Sequence, residues 1–321
     1  MIRSGATFRS ATPSDLDRIV ELLTADPACT VTKDSYRANL ETGEYRLEWT
    51  WLAESAEGDL LAVAIWWGPR SESKAPSALD GFYAIPSFTR ESRIELSAAL
   101  LAAAHEAFGE APEYHVFVPA NWRDAPAVVE SLAWRQEAAR RAGLTHVIER
   151  LRYEWTSESP LPPRDGRLIF RPEPDDEVFV DLFIRTLEGT LDAASAANKV
   201  ILGAEAQARG DIHFLKEQML GQRDWWRVAT DENGAVVGFG IPSRNSDFHV
   251  VGYLGVLPEY RGRGHADRIL AEITRLLVEQ VGAAVIRADT DLGNRPMAKA
   301  FARLGYHNFA CRLVHSAAHT V

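Results

Sequence analysis

The sequence predicts a mixed α/β protein made of two tandem halves. Three observations point there. Strand-like and helix-like patterns alternate along the chain. Landmarks of the first half return 162 positions later in the second. A stretch rich in Pro, Ser and Gly, SESPLPPRDG, lies between the two runs. The expected division is residues 1–156, a linker at 157–166, and residues 167–321.

The first half opens on TFRSATPSDLDRIVELL, a short strand, a Pro/Asp cap and an amphipathic helix. Residues 46–53 and 60–67 read as a hairpin around Glu57-Gly58, and 79–85 as the next strand. Residues 94–108 then form a helix, 114–118 a strand, 125–142 a helix and 146–155 a final strand. The second half repeats the order. IFRPEPDDEVFVDLFIRTL matches the opening, with Phe170 standing 162 residues after Phe8. Residues 225–230 and 235–241 flank Asp231-Glu232-Asn233-Gly234, whose Asn-Gly is the strongest short hairpin signal. Residues 248–256 make a long strand and 257–264 a loop. Ala266, Ile269, Leu270, Ile273, Leu276 and Leu277 fall on one face of a helix over 265–280, which Gly282 ends. A buried strand at 284–288, a short helix at 296–304 and a last strand at 311–315 complete it. Arg303-Leu304-Gly305 again stands 162 residues after Arg141-Ala142-Gly143.

Bulk properties narrow the function. A length of 321 residues suits two domains, and 46% hydrophobic with 25% charged residues is ordinary for a globular chain. A net charge of −10 argues against nonspecific attraction to nucleic acid or anionic membrane and suits a cationic substrate. Cys29 and Cys311 form neither a CxxC pair nor a zinc spacing, which fits a reducing compartment and no metal. MIRSGATFRS has no apolar signal core, and the Ala-rich run at 96–104 is too short to span a bilayer. The expectation is a cytoplasmic protein with no membrane and no nucleic-acid partner.

The chemistry concentrates at Gly255-Val-Leu-Pro-Glu-Tyr-Arg-Gly-Arg-Gly-His-Ala266. A strand feeds a two-glycine loop, and the loop feeds a helix N-terminus. Such a junction aims backbone N–H groups and the positive end of the helix dipole at an anion. Glycines let phosphate oxygens approach, and Arg261 and Arg263 offer forked donors. The absence of Gly-Lys-Ser/Thr excludes a P-loop, and a preceding strand that is third in a hairpin-led sheet excludes a dinucleotide fingerprint.

Arg261, Gly264 and Ala266 stand as Arg-x-x-Gly-x-Ala, which resembles the coenzyme A signature Arg/Gln-x-x-Gly-x-Gly/Ala of the GNAT N-acyltransferase superfamily. A later segment agrees: Asn294 opens a short helix that ends in Leu304-Gly305-Tyr306, as in that family. The resemblance covers residues 167–321. It implies two tandem GNAT-like domains, each a splayed mixed β-sheet flanked by helices, with acetyl-CoA lying in the splay of the second. It implies that Leu254 and Val256 bond the pantetheine arm through their backbone, and that the Val256 N–H polarises the thioester carbonyl. The amides of Gly262, Arg263, Gly264, His265 and Ala266 would hold the pyrophosphate, with Asn294 and Phe301 also at the cofactor. A substrate amine would attack directly, since no serine or cysteine nucleophile motif is present.

An alkylammonium, with pKa near ~10.4, must lose its proton first. Glu188 and Asp192 are the favoured bases, because the helix bearing them edges the acceptor pocket in this superfamily and their i,i+4 spacing sets both on one face. Asp247, His249 and Glu259 are weaker candidates. Many family members carry a Tyr where Phe301 stands, to protonate the leaving thiolate. A phenyl ring cannot, although a thiol of pKa near ~8.5 leaves tolerably unassisted.

The first half lacks the cradle. With Pro86 set opposite Pro258, Thr89, Ser92 and Ile94 fill the signature positions and Glu91 would face phosphate. This half is expected to be structural or substrate-shaping, and the Trp49, Trp51, Trp66, Trp67, Trp225 and Trp226 side chains to pack in cores. The leading reading is a small-molecule amine acetyltransferase. A non-catalytic acyl-CoA sensor or scaffold competes with it, as does a protein-lysine acetyltransferase. A tandem pair with one degenerate member is also similar to mycothiol synthase, which would mean a different acceptor. A homodimer fits the sequence as well as a monomer.

Overall fold

The computed structural model describes residues 5–69 and 75–318. The first four residues of MIRSGATFRS lie outside that range. The chain divides into two compact units, one of residues 1–149 with 310–321, the other of residues 150–309.

The first unit runs β1 (Thr7–Ser10), α1 (Leu16–Leu22), α2 (Lys33–Thr42), β2 (Tyr45–Glu54), β3 (Leu60–Trp67), β4 (Ala78–Ala84), α3 (Arg90–Phe108), β5 (Glu113–Pro119) and α4 (Pro126–Arg141). The second takes up β6 (His146–Thr156) from Arg150. It continues with β7 (Ile169–Pro172), α5 (Asp176–Thr186), α6 (Ala193–Leu202), α7 (Ala204–Glu217), β8 (Arg227–Thr230), β9 (Val236–Arg244) and β10 (His249–Val256). Then come α8 (His265–Glu279), β11 (Val285–Asp291), α9 (Arg295–Arg303) and the start of β12 (His307–Ser316). Strand and helix order follow the sequence reading. The helices at 33–42, 193–202 and 204–217 are additional.

The two units share one topology. In the first, β1-β2-β3-β4 are antiparallel neighbours, β4 and β5 are parallel, and β12 runs antiparallel to β5. In the second, β7-β8-β9-β10 are antiparallel, β10 and β11 parallel, and β6 antiparallel to β11. The strand completing each sheet therefore comes from the other half of the sequence: Val285–Asp291 pairs with residues 150–156, and residues 310–315 pair with β5. The expected boundaries at 156 and 167 do not coincide with this division. Periodicity identifies β6 and β12 as strands but carries no information about their partners.

Each parallel pair holds for two residues only, Ala78↔Glu113 and Leu79↔Tyr114 in one unit, His249↔Ile286 and Val250↔Arg287 in the other. Beyond them the strands diverge into a splay. A bulge marks the same place in both: register shifts past Asp80 on β4 and past Gly252 on β10. Strand alternation sorts the core of the second unit into two layers. Phe239, Ile241 and Val228 meet α5 and α7; Val237, Ala229 and Ile286 meet α8 and α9. Gly240 lets α8 lie close on β9, since a Cβ there would fall 2.9 Å from Ile269 Cγ2. Trp49, Trp66, Trp225 and Trp226 are buried, in line with packing roles, and Trp51 is partly buried, whereas Trp67 is 38% exposed and does not pack in a core.

The stretch 157–166 contains neither helix nor strand, yet it is pinned within the second unit. Ser159 donates to the Gly305 carbonyl at 2.9 Å, Arg275 to the Pro162 carbonyl at 2.8 Å, and Arg164 pairs with Glu279 at 2.8 Å. Among the described residues no helix is long and apolar enough to cross a membrane.

Candidate functional site

The site grows from the free edge of β10. The Leu257 amide donates to the Val237 carbonyl on β9 at 2.9 Å. Successive amides of a strand face opposite edges, so those of Val256 and Leu254 point away from β9, into the splay. The Leu254 side chain packs on the α8 core, leaving its backbone at the opening.

The loop after β10 turns through two left-handed glycines, Gly262 at φ +76° and Gly264 at φ +74°. Gly264 is the N-cap of α8, and no side chain caps this helix. The first amides of α8, at His265, Ala266 and Asp267, therefore lack an intrahelical acceptor at the positive end of a 15-residue helix. Arg263 is exposed and makes no ion pair among the described residues. The His265 ring sits edge-on to Tyr260, 6.2 Å between centroids. Burial, helped by Arg268 and Arg263, holds its pKa below the usual imidazole value, so it adds no charge near neutrality.

Arg261 behaves differently from the expectation that it grips phosphate. Its Nε donates to Val256 O at 3.1 Å, Nη1 to Glu188 O at 2.6 Å and Nη2 to Thr186 O at 2.9 Å. Thr186 is the last residue of α5, where helix acceptors lack partners, and Glu188 lies in the turn just past it. Arg261 ties the end of β10 to the end of α5, with its Nε on the splay-facing carbonyl of Val256.

The favoured bases are not brought together on one helical face. α5 stops at Thr186, and Gly189 at φ +59° turns the chain before Asp192. Glu188 is exposed, and its carbonyl is held by Arg261. Asp192 caps α6, accepting from the Ser195 amide at 2.7 Å, and its other oxygen lies 3.5 Å from Arg150. This predicts that Asp192→Ala lowers stability by about 1 kcal/mol in urea unfolding while Asp192→Asn stays close to wild type, as for other N-caps. The remaining candidates are likewise engaged or misplaced. Glu259 pairs with Arg185 at 2.7 Å, Asp247 is exposed beside Ser246, and His249 sits at the paired end of β10.

Asn294 caps α9, accepting from the Met297 amide at 3.3 Å. Phe301, expected at the cofactor, is 2% exposed. Its ring stacks on Tyr153 at 4.8 Å and lies 5.3 Å from Tyr306, because the apolar face of α9 turns into the core under α8. Cys311 is buried, and burial lifts its thiol to about 11.

Sequence reasoning missed Asp211. Gln207, Ala208, Ile212 and Leu215 form the buried stripe of α7, and Asp211 falls in that stripe at helical spacing. The Leu215 side chain reaches the bulge of β10: a Cβ on Gly252 would lie 3.3 Å from Leu215 Cδ2. Asp211 is half-buried and takes hydrogen bonds of 2.9 and 3.0 Å from the Gln207 amide, with no basic partner among the described residues. Burial lifts it to about 6, and the charge of Asp192 adds to that. The usable signal is a Gln and an Asp four apart on the apolar face of an amphipathic helix.

The corresponding splay of the first unit is filled by its own side chains. On β4, Ile85 N donates to Leu61 O at 3.0 Å, so alternation turns the Phe82 backbone toward the splay. Arg135, 1% exposed, donates from Nε to Phe82 O at 3.3 Å and pairs through Nη2 with Asp26 at 3.0 Å. Trp134 and Tyr114 flank Phe82 at 5.4 and 5.3 Å. The start of α3 is closed as well: Thr89 Oγ1 accepts from the Ser92 amide at 3.2 Å, and Glu91 occupies the first turn. A cleft of about 740 Å³ lies between α3 and α4, lined in part by Arg90, Ile94, Glu137 and His315. Among the described residues no cluster of three His, Cys, Asp or Glu side chains could hold a metal ion.

Comparison with known proteins returns the same architecture. Residues 202–306 match the model of the acetyltransferase (GNAT) family. A GCN5-related N-acetyltransferase from Sphaerobacter thermophilus is similar over 98% of this chain and 96% of its own, at 16% identity and a TM-score of 0.57. The GCN5-related glucosamine N-acetyltransferase region of a fungal multi-domain GH3 β-N-acetylglucosaminidase is similar over 97% of this chain and 38% of that one, at 15% identity and a TM-score of 0.55. At such identities the solved structures speak for the fold alone. No curated protein matches the sequence.

Proposed function

We propose, from the match of residues 202–306 to the acetyltransferase (GNAT) family model, that the chain transfers an acetyl group from acetyl-CoA to the amine of a small molecule by direct attack. One observation carries the reading. An uncapped helix N-terminus behind two left-handed glycines adjoins a strand edge whose amides face an open splay. The first feature suits a pyrophosphate. The second suits an extended pantetheine arm, whose amides can pair with Leu254 and Val256 as a further strand would.

In this reading the amides of Gly262 to Ala266 bind the pyrophosphate, and Arg263 adds a solvent-side charge. The Val256 N–H donates to the thioester oxygen and gains strength as negative charge develops on it. Arg261 fixes the end of β10 by holding Val256 O. The first unit does not take CoA in its splay, which the Arg135 side chain and the Thr89 cap support.

Calorimetric titration of acetyl-CoA tests the reading, followed by assay of CoA release with a panel of primary amines. The expected result is one site per chain and amine-dependent release. No binding by the folded protein would end the acyltransferase reading, and binding without release would leave a sensor. Arg263→Ala is expected to weaken acetyl-CoA binding by about tenfold, the scale of one charge-assisted hydrogen bond, and to flatten the salt dependence of Kd.

A further inference from the structure

We propose that Asp211 receives the ammonium group of the acceptor and takes its proton before the amine attacks the thioester. The inference rests on the acyl-transfer reading above and adds the group that reading lacks.

Placement comes first. The buried stripe of α7 lies over the bulge of β10, with Leu215 against Gly252 and with Ala208 and Ile212 in one cluster with Phe183 and Tyr253. Asp211 belongs to that stripe. The charges of Asp211 and Asp192 both bear on the Tyr253 phenol. Tyr253 immediately precedes Leu254, whose amide faces the splay, and Val256 follows two residues later. Asp211 therefore belongs to the layer that packs on the Tyr253 face of β10, opposite the α8 layer that takes the Leu254 side chain.

Chemistry comes second. Other carboxylates of the second unit already have cations: Asp192 and Asp291 share Arg150, and Asp176 holds Lys216 and Arg223. Asp211 has only the neutral amide of Gln207. A half-buried anion without a counter-cation is a receptor for one, and an alkylammonium supplies it. The groups facing it are few. Asp192 faces it from the start of α6 and is itself held by Arg150. Tyr253 faces it from β10, and burial keeps that phenol well above its ordinary value and therefore neutral. With Asp211 lifted to about 6, the carboxylate is ionised at neutral pH and basic enough to accept a proton.

The step balances. The ammonium gives one proton to the Asp211 carboxylate, and the freed lone pair forms the N–C bond to the thioester carbon. Collapse of the tetrahedral adduct breaks the C–S bond. The second nitrogen proton leaves with the CoA thiolate as CoASH, and Asp211 returns its proton to water.

The test compares wild type, Asp211→Asn and Asp211→Glu with n-butylamine, tyramine and spermidine as acceptor probes. Asp211→Asn is expected to bind acetyl-CoA within about twofold of wild type, yet to lose ~100-fold or more in kcat/KM for the amine, the usual scale for a general base. The wild-type acid limb near pH 6 should vanish in Asp211→Asn and reappear in Asp211→Glu. A second measurement needs no turnover. The carbon-13 resonance of the Asp211 carboxyl, followed by NMR, should titrate near 6 and move to lower pH when n-butylammonium is added. An unchanged kcat/KM in Asp211→Asn, or a carboxyl indifferent to n-butylammonium, overturns the proposal. Absence of acetyl-CoA binding in wild type would instead overturn the acyl-transfer reading itself.

Discussion

Gly264→Asp is expected to weaken acetyl-CoA binding by ~100-fold or more while leaving the thermal midpoint nearly unchanged. Gly264 sits at φ +74°, where any L side chain is strained by roughly 1–2 kcal/mol. Its Cβ would meet only Arg268 Nη1, at 3.4 Å, so nothing in the backbone must move. A carboxylate beside the positive end of α8 interacts favourably with the helix dipole, which offsets part of the strain. The same carboxylate would answer the open amides of α8 and set a negative charge in the pyrophosphate seat. At an effective dielectric of about 20, two unit charges about 4 Å apart repel by ~4 kcal/mol. Repulsion gives the expected loss, because the strain is common to free and bound protein, and Gly264→Ala checks this by keeping the strain without the charge. Calorimetry reads the affinity and differential scanning calorimetry reads Tm. An unchanged Kd in Gly264→Asp would remove the loop from the binding site.

Local chemistry is legible in the sequence and long-range destinations are not. The loop at 257–264 can be read because glycine conformation and a helix start are properties of adjacent residues. Its uncapped amides follow from the same few positions. The role of Arg261 cannot be read, because its partners are the carbonyls of Thr186 and Glu188, more than 70 residues earlier in the chain. Glu188 and Asp192 satisfy a helical spacing on paper. α5 has already ended at Thr186, and Gly189 in the left-handed region turns the chain between them, so the i,i+4 relation is absent. Asp211 escapes for the opposite reason. Its helix has a glycine at Gly210 and several charges, so the pattern is weak, and without the helix a polar pair on an apolar face is not visible as an anomaly. The strands at 146–156 and 307–316 are recognisable as strands, yet their pairing depends on sheets that the local pattern does not encode.

The first unit offers a stability effect of comparable size. Arg135→Met is expected to destabilise the protein by about 3 kcal/mol, the lower end for breaking a buried ion pair. The side chain of Arg135 is 2% exposed and that of its partner Asp26 21%, so the orphaned carboxylate would regain some water. It would also keep the Ser131 hydroxyl at 2.6 Å and the Ala28 amide at 2.9 Å. Phe82 O would lose its donor at the open edge of β4. Methionine preserves much of the packing against Trp134, which isolates the polar loss. Adding Asp26→Asn to Arg135→Met should recover part of the stability, because a neutral amide tolerates the site better than an unpaired charge. Urea unfolding of the four proteins closes this double-mutant cycle. Acetyl-CoA stoichiometry should remain one per chain in Arg135→Met, since α3 still begins under its Thr89 cap with Glu91 in the first turn. A second binding site in that variant would mean that one guanidinium alone separates the two units in function.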